Sequence, residues 1–465
     1  MKRLKFKKFL IIPSGIFVVG CIFISIYYKS ISEKQDIILS SALDKPNVIL
    51  IVIDSLRPDH LSCYGYERDT SPNIDNLAKE ATMFTQAIAA GGCTIESVAS
   101  ILTGTYSFIH YVKWWNMHRD FTIKTLTQYL SSIGFVSALF TDHSAISATD
   151  IKDNFNLIYI TERENALRLT LELTNWVKKN KDKPFFIYLH YHGVHAPYRP
   201  PEPYKSKYLY DRFRIRKEIP ISNDKTNKYR GKGNIPYIVA ENNISDVSYY
   251  IAKFDGKISY IDYQVGRLIE SLKRLGLLED TLLILTADHG EMLGEHNIYF
   301  THGNCYESNI RVPLIIRFPK LFPRREIISQ QVSLIDIIPT ILEIMEIDIP
   351  DYIQGKSLLT LFKKNKSDQH VYLYSSNFDP ASNTASIRSE SWKLIRKSNT
   401  IYELYNLIDD LQEQHNLINK EQDKFEELKR ILEIYEKGSS PFKEKKNKLL
   451  TDKEKEILRS LGYLQ

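Results

Sequence analysis

The sequence predicts an α/β domain built on a mostly parallel sheet that helices cover on both sides. The first observation is a continuous apolar, largely β-branched run at residues 48–53, which is typical of a strand buried on both faces. The second is that similar runs recur along the chain, separated by helix-like stretches, as expected for parallel strands joined by crossover helices. The third is a change after about Ser367, where short strands follow one another with few helices between them.

The main domain is assigned to residues 47–366. After the strand at 48–53, further strands are predicted at residues 135–140, 185–189, 282–285 and 313–318. Helices are predicted at residues 74–79, 123–132, 164–178, 247–275 and 334–345. The polar segment 204–243 is expected to be a surface insertion.

A smaller α+β subdomain is assigned to residues 367–465 and is expected to pack on the main domain. Its strands are predicted at residues 371–374, 384–388, 392–396 and 401–405. An amphipathic helix is predicted to follow at residues 420–437.

The composition is that of a folded protein. Among 465 residues, 43% are hydrophobic and 25% charged, with only 19 Gly and 18 Pro, which excludes collagen-like and wholly disordered chains. The net charge of +6 is concentrated at the N-terminus, because five of the first eight residues are Lys or Arg. Without these five, 57 basic residues stand against 56 acidic ones, so the body has no broad basic face and no nucleic-acid partner is expected.

A membrane anchor is predicted at residues 9–28, a stretch without charged side chains that follows the basic flank 1–8. Its length matches a helix crossing a hydrocarbon core of ~30 Å. The basic flank predicts a cytoplasmic N-terminus, with the stalk (29–46) and the catalytic domain outside the cytoplasm. Two alternatives stay open. One is a cleaved signal peptide, which would have a shorter apolar core, and the other is a lipoprotein processed at Cys21, which would turn polar soon after that residue, whereas the chain stays apolar to residue 28.

Cysteine usage gives little information. With Cys21 in the anchor, Cys63, Cys93 and Cys305 allow at most one disulfide. Neither a disulfide scaffold nor a zinc cluster is indicated.

Metal-ligand side chains follow two of the predicted strands. One strand runs into Asp54, and another runs into Asp288 and His289. In open α/β sheets, ligands bind at the carboxyl ends of strands. Each carboxylate alone is more often a helix cap or turn former. Two buried acids that converge beside an imidazole, however, are best compensated by a divalent cation.

A third element is a turn of small residues, Gly91 and Gly92, which leads through Cys93 and Thr94 into a helix-like run. This places Cys93 or Thr94 at or near a helix N-terminus, where free N–H groups and the helix dipole favour an anionic nucleophile and an incoming anion. Taken alone, Thr94 would be interpreted as a helix N-cap.

Several segments, in order, resemble the sulfatases and their sulfatase-like relatives in the alkaline phosphatase superfamily. The similar segments are NVILIVIDSLRPDHLSCYGYERDTSPNIDNLA (47–78), TIESVASILTG (94–104), HYHGVHAPY (190–198), TADHGEMLGEH (286–296), THGNCYESNIRVPLIIRFP (301–319) and ELYNLIDDLQEQHNL (403–417). The resemblance extends over nearly the whole body of the chain and implies an alkaline-phosphatase-like fold.

The resemblance also implies a set of site residues. The single divalent metal ion (Ca, Mn, Mg or Zn) would be held by Asp54, Asp288 and His289, together with the nucleophile. The oxyanion of the substrate would be contacted by His195 and His302. Weaker candidates for the same pocket are Arg57 and His110.

The nucleophile position departs from the sulfatase pattern. Sulfatases convert the Cys or Ser of C/S-x-P-x-R into formylglycine, but here neither the Pro nor the Arg follows Cys93. The spacing to residues 103–104 places the nucleophile on Thr94, so formylglycine is not expected. A second aspartate that often follows the first is replaced by Ser55.

These observations lead to the hypothesis of a membrane-anchored, metal-dependent hydrolase of sulfate or phosphate esters with Thr94 as nucleophile. Its substrate would be a sulfated or phosphorylated small molecule, glycan or lipid. A threonine phosphoester can be attacked again by water or an alcohol more easily than a threonine sulfate, which favours phosphoryl chemistry. The alternatives are a phosphoethanolamine- or phosphoglycerol-type transferase, a formylglycine sulfatase using Cys93, and a catalytically silent ectodomain.

Overall fold

In a computed structural model of the chain, residues 45–437 are described, except 114–115, 121, 144, 147–148, 163, 214, 226–228, 230, 364–369 and 380–381. The predicted basic flank (1–8), the anchor (9–28) with Cys21, and nearly all of the stalk lie outside the described residues. Within the described ranges, no helix is both long enough and apolar enough to cross a bilayer.

Two sheets and a small hairpin contain all the strands of the described residues. In chain order, the strands are β1 (Asn47–Ile53), β2 (Thr82–Ile88), β3 (Val136–Thr141), β4 (Leu157–Ile160), β5 (Phe185–Tyr191), β6 (Thr281–Thr286), β7 (Met292–Leu293), β8 (Tyr299–Thr301), β9 (Arg311–Arg317), β10 (Glu326–Ile328), β11 (Val332–Ser333), β12 (Leu373–Asp379), β13 (Ser382–Arg388), β14 (Trp392–Arg396) and β15 (Tyr402–Asn406).

The main sheet has nine strands in the order β10-β2-β9-β6-β1-β5-β3-β4, with β11 also paired to β2. Its pairings are parallel except for those that β9 makes with β2 and β6, so β9 alone runs in the opposite direction. Every residue of the central strand β1 is buried, as expected for a strand covered on both faces. The predicted mostly parallel α/β sheet is confirmed.

The helices connect these strands and pack in two groups. They are α1 (Pro72–Ala78), α2 (Thr94–Thr103), α3 (Ser107–His110), α4 (Leu126–Ser132), α5 (Ala166–Asn180), α6 (Val247–Arg274), α7 (Glu307–Ile310), α8 (Ile337–Ile344) and α9 (Gln422–Lys437). Helices α1 and α5 pack against α6, while α3, α4 and α8 pack against α2. The five helices predicted for the main domain are all present, with ends within three residues of the expected ones.

The C-terminal strands form a separate antiparallel sheet in the order β12-β13-β14-β15, and α9 packs against β13 and β14. This small antiparallel sheet agrees with the α+β character expected from the sequence. Within its described residues, the polar segment 204–243 contains isolated bridges but no longer strand and no helix.

Candidate active site

The carboxyl ends of adjacent strands form the site. Strand β1 pairs in parallel with β6, and Val52 lies opposite Thr286 in this register. Asp54 and Asp288 each follow two residues later, and both side chains are fully buried. The register of the sheet therefore brings both predicted carboxylates to the same edge.

The first residue of helix α2 is Thr94, and Cys93 is the N-cap residue. The hydroxyl Oγ1 of Thr94 lies 3.2 Å from Nε2 of His289. The interpretation of Thr94 as a simple N-cap is therefore wrong, because its side chain faces the site. The helix is held in place by Ser97, whose hydroxyl donates a 2.6 Å hydrogen bond to the carbonyl of Asp288.

The loop before α2 needs two glycines. A Cβ on Gly91 would lie 2.7 Å from the backbone nitrogen of Ser97, and one on Gly92 would lie 2.4 Å from the carbonyl oxygen of Asn304. Real side chains do not tolerate such distances to backbone atoms. This close approach of loop and helix sets the position of Thr94.

The ring of His289 is oriented by its own neighbour in the chain. Its Nδ1 donates to the carbonyl of Gly290 at 2.8 Å, so the neutral ring carries its lone pair on Nε2. Nε2 lies 3.5 Å from Oδ1 of Asp54 and 3.6 Å from Oδ2 of Asp288. One imidazole nitrogen thus faces both carboxylates and the Thr94 hydroxyl.

The site concentrates negative charge away from water. Burial raises the pKa of Asp288, and the charge of Asp54 raises it further. Burial also opposes ionisation of Asp54, but the imidazoles of His195, His143 and His289 outweigh it and hold the pKa of Asp54 well below its ordinary value. Burial lowers the pKa of His289, but the two carboxylates outweigh it and raise that pKa. An ionised pair of this kind needs positive charge beside it.

The two histidines expected to contact the substrate lie beside this centre. The ring of His302 stacks on that of His289 at 4.4 Å, and the ring of His195 is 4.8 Å from that of His302. Nδ1 of His195 donates to the carbonyl of Ala196 at 2.6 Å. His195 can therefore donate to an anionic ester from Nε2 only as an imidazolium.

Three further histidines, all buried, lie in the same cluster and had no role assigned from the sequence. Nε2 of His143 lies 3.2 Å from Oδ2 of Asp54, and Nε2 of His190 lies 3.9 Å from Oδ2 of Asp288. The ring of His192 is 5.0 Å from that of His195. The sequence does contain a signal for His143. The pair Asp142-His143 directly follows β3, in the same way that the pair Asp288-His289 follows β6 after one intervening residue.

The two weaker candidates are occupied elsewhere. The guanidinium of Arg57 forms ion pairs with Asp59 and Glu295 at 2.7 and 2.8 Å. Nε2 of His110 is 3.0 Å from the hydroxyl of Ser100, inside α2. Neither side chain joins the Thr94 centre through these contacts.

The residues present fit a divalent cation. Asp54, Asp288 and His190 offer one ligand atom each within 4.8 Å of one another, and so do Asp54, His143 and His192. Within the described part of the chain, Oδ2 of Asp288 and Nε2 of His190 are buried without a hydrogen-bond partner. Carboxylate and imidazole donors left unpaired in this way suit a bound metal ion.

A family model for the sulfatases matches residues 46–347 of the chain. The chain belongs to the sulfatase family. A second family model, for the C-terminal part of N-sulphoglucosamine sulphohydrolase, matches residues 294–437. Sulfatases hydrolyse sulfuric esters with a divalent metal ion, and this chain is an ester hydrolase of their family.

The chain is also similar in sequence to curated relatives and in fold to a solved structure. The chain is 28% identical over 457 residues to an arylsulfatase of Clostridium perfringens, which covers 83% of this chain and 94% of the relative. It is 24% identical to an N-acetylglucosamine-6-O-sulfatase of Bacteroides thetaiotaomicron, and the match covers 84% of this chain and 86% of that relative. The fold is similar to that of the phosphonate monoester hydrolase of Agrobacterium radiobacter, with a TM-score of 0.72, 21% identity, and 85% and 96% of the two chains covered.

Proposed function

We propose that this sulfatase-family protein hydrolyses sulfate or phosphate esters with Thr94 as the nucleophile beside a single divalent metal ion. The observation that supports the proposal most directly is the position of the Thr94 hydroxyl. It opens helix α2, is fully buried, and lies 3.2 Å from Nε2 of His289. A hydroxyl at a helix N-terminus beside metal-ligand side chains is placed to become an alkoxide.

The metal ion would be held by Asp54, Asp288 and His289, with Thr94 as a further ligand. When bound, it would supply positive charge beside the Thr94 hydroxyl and the ester group. The buried carboxylates support this assignment, because burial and mutual repulsion raise the pKa of Asp288 until a cation compensates them.

The chain's own residues perform the transfer. The Thr94 hydroxyl loses its proton to solvent, and Oγ1 then forms a bond to phosphorus or sulfur while the bond to the leaving alcohol breaks. The leaving oxygen takes a proton from an imidazolium at His302 or His195, whose rings lie 4.8 Å apart next to Thr94 and His289. Water then attacks the threonine ester and gives a proton to the imidazole that protonated the leaving group, while the Thr94 oxygen leaves and recovers its proton from solvent.

The threonine hydroxyl favours phosphate over sulfate as the group transferred. A threonine phosphoester reacts readily with a second nucleophile at phosphorus, whereas a threonine sulfate is harder to resolve. The structural similarity to a phosphonate monoester hydrolase is compatible with this preference, although the named relatives are sulfatases. The formylglycine route through Cys93 is disfavoured, because neither Pro nor Arg follows that residue at the positions the modification pattern requires.

Steady-state kinetics on the metal-reconstituted protein tests the proposal. Aryl sulfate, aryl phosphate and aryl phosphodiester are compared with Mn²⁺ or Ca²⁺ present. Thr94→Ala should lower kcat by about 10³-fold or more, while the matched Thr94→Ser, which keeps a hydroxyl, should stay within about tenfold of the parent. Equal activity of Thr94→Ala and the parent would remove Thr94 from the mechanism.

The same preparations separate the alternatives. Mass spectrometry of the peptide with Cys93 should find an intact thiol, and a formylglycine there would instead support a sulfatase using that residue. Product analysis with added alcohol should show hydrolysis, and transfer of the phosphoryl group to the alcohol would indicate a transferase. Absence of turnover with every ester and metal would indicate a silent ectodomain.

For the location, we propose an anchor at residues 9–28 that holds the catalytic domain outside the cytoplasm. The support is the uncharged stretch and its basic flank in the sequence. Membranes from expressing cells should retain the full chain after alkaline washing, and external protease should digest it in intact spheroplasts. Recovery of the full chain in the soluble fraction would contradict the anchor.

A further inference from the structure

His190 is a buried histidine of the central sheet with no role in the proposed reaction. It lies near the carboxyl end of β5, opposite Val52 of β1 in the parallel register. Its Nε2 is 3.9 Å from Oδ2 of Asp288, and both atoms are buried without a hydrogen-bond partner among the described residues. Leaving a buried polar atom unpaired is unfavourable, which indicates that a ligand pairs these atoms in the working protein.

The distances agree with a common ion. One ligand atom each from Asp54, His190 and Asp288 lies within 4.8 Å of the other two. Two donors bound about 2.0–2.2 Å from one metal ion are at most about 4.4 Å apart, so only a small inward movement is needed. Nε2 of His289 faces the same carboxylates at 3.5 and 3.6 Å.

We propose that His190 is a ligand of the metal ion, and that His190 and His289 together make this site prefer a transition-metal ion such as Mn²⁺ or Zn²⁺ over Ca²⁺. The inference rests on the proposed metal site at Asp54, Asp288 and His289. Calcium takes six to eight oxygen ligands, whereas imidazole nitrogen suits the first-row transition metals.

The hydrogen bonds of the two candidate imidazoles distinguish them. Nδ1 of His190 is 3.0 Å from the hydroxyl of Tyr188, which can accept a hydrogen bond from Nδ1–H and so leave the lone pair on Nε2 for a metal ion. Nδ1 of His143 instead accepts a 3.1 Å hydrogen bond from the backbone nitrogen of Ala145. The neutral ring of His143 then carries its proton on Nε2, beside Asp54, and has no lone pair there for a metal ion.

Calorimetry on the full-length, detergent-solubilised, chelator-stripped protein tests the inference. The parent should bind Mn²⁺ at least about tenfold more tightly than Ca²⁺. His190→Gln should weaken Mn²⁺ binding by about tenfold or more and change Ca²⁺ binding by less than about threefold. His190→Asp should shift the preference toward Ca²⁺. The control His415→Gln, at a side chain that is 79% exposed, should behave like the parent.

Two results overturn the inference: a parent that binds Ca²⁺ as tightly as Mn²⁺, or a His190→Gln protein whose Mn²⁺ to Ca²⁺ affinity ratio is unchanged. A failure of the proposed function has a different signature. In that case the parent binds neither ion, or Asp54→Asn binds both as well as the parent does.

Pulsed EPR of the Mn²⁺-loaded parent gives a second measurement that does not depend on a variant folding. Electron spin echo modulation reports imidazole nitrogens bound directly to the ion. Two coordinated histidines are expected, from His190 and His289. A signal from one histidine alone would overturn the assignment of His190.

Discussion

Glu291 is a buried residue that lies beside a histidine of the proposed reaction. Its carboxylate is fully buried, and Oε1 lies 3.7 Å from Nδ1 of His302. A carboxylate this close to Nδ1 can orient the imidazole ring by attracting an N–H at that nitrogen. His302 in turn stacks on His289, next to Thr94. Glu291 is therefore a candidate positioning residue for proton donation to the leaving group.

Replacing Glu291 by Gln tests this role at the residue scale. The amide keeps the size of the side chain but removes the charge, so kcat should fall by about 10- to 100-fold for esters with basic leaving groups. Activated esters, whose leaving groups need no proton, should lose less than about threefold. The exposed Glu390→Gln serves as the control. An equal loss for both ester types would show that Glu291 only supports the fold.

His110 gives a second prediction at this scale, on stability against pH. Burial lowers the pKa of His110 to about 3, below its ordinary value of 6.5. Between these values the unfolded chain binds a proton that the folded chain does not, so the free energy of unfolding falls as the pH drops below 6.5. The slope from this residue approaches about 1.4 kcal/mol per pH unit.

Urea unfolding of the parent and His110→Asn between pH 7 and pH 4 measures this slope. The variant should be less stable than the parent at pH 7, because the hydrogen bond between residue 110 and Ser100 is lost. Its free energy of unfolding should, however, decline less steeply on acidification. Parallel curves for the two proteins would show that His110 does not contribute to the acid sensitivity.

The sequence predicted several site residues, and the structure brings them together. Asp54 and Asp288 could be found because an acid directly after a buried strand is costly unless a positive charge compensates it. His143 and His190 could not be assigned in the same way. A lone histidine is usually structural, and which histidine of the 190–195 segment faces a carboxylate depends on where β5 ends and how its side chains alternate.

At the scale of elements, the loop before α2 is the most constrained connection of the site. Gly92 donates its N–H to the carbonyl of Ser376 and accepts from the N–H of Gly303, so backbone segments from two other parts of the chain hold it. A Cβ here would overlap the carbonyl of Asn304, which cannot move away without displacing that loop.

Gly92→Ala should therefore lower stability by about 2 kcal/mol and also reduce kcat, because Thr94 follows two residues later. Thermal unfolding and steady-state kinetics measure the two effects. Gly65→Ala is the control: its φ of +100° makes Ala costly there, but nothing lies within 4 Å of the added Cβ. It should lose about 1 kcal/mol of stability and keep its kcat. Unchanged activity in Gly92→Ala would show that the loop tolerates displacement.

Element prediction succeeded where apolar runs were continuous and failed where they were not. All five predicted strands of the main domain are present within two residues of the expected ends. Strand β2 is missing from the predicted set, because polar Thr and Gln interrupt its apolar pattern. The direction of β9 also could not be predicted, because the hydrophobic periodicity and composition of a strand do not show whether it pairs in parallel or antiparallel with the adjacent strands.

At the scale of the whole molecule, a buried ion network joins the two sheets. Glu307, in α7 of the main domain, pairs with Arg388 and Lys393 of the C-terminal sheet at 3.1 and 2.9 Å. Lys393 also pairs with Glu413 at 2.8 Å. Burial alone raises the pKa of Glu307, but the two cations outweigh it and lower that pKa to about 2. Sequence patterns could assign the C-terminal strands but not these contacts, which join residues far apart in the chain.

Removing the lysine from this network should destabilise the attachment of the C-terminal sheet. Lys393→Met leaves Glu413 without its cation and should cost about 3–5 kcal/mol of unfolding free energy. The double variant Lys393→Met with Glu413→Gln removes both charges and should recover at least about half of that loss. Denaturant unfolding of the four proteins forms a double-mutant cycle. Additive effects would show that the two residues do not interact.

The pairing of β1 with β6 also determines when the candidate metal site can first form during synthesis. Ser55 donates its backbone N–H to the carboxylate of Asp288, 233 positions further along the chain. A nascent chain that ends before β6 lacks Asp288 and cannot form the candidate site. The site is therefore missing during most of the synthesis of the chain. Ion binding at the proposed site would therefore require β6 and would stabilise only chains that already contain it.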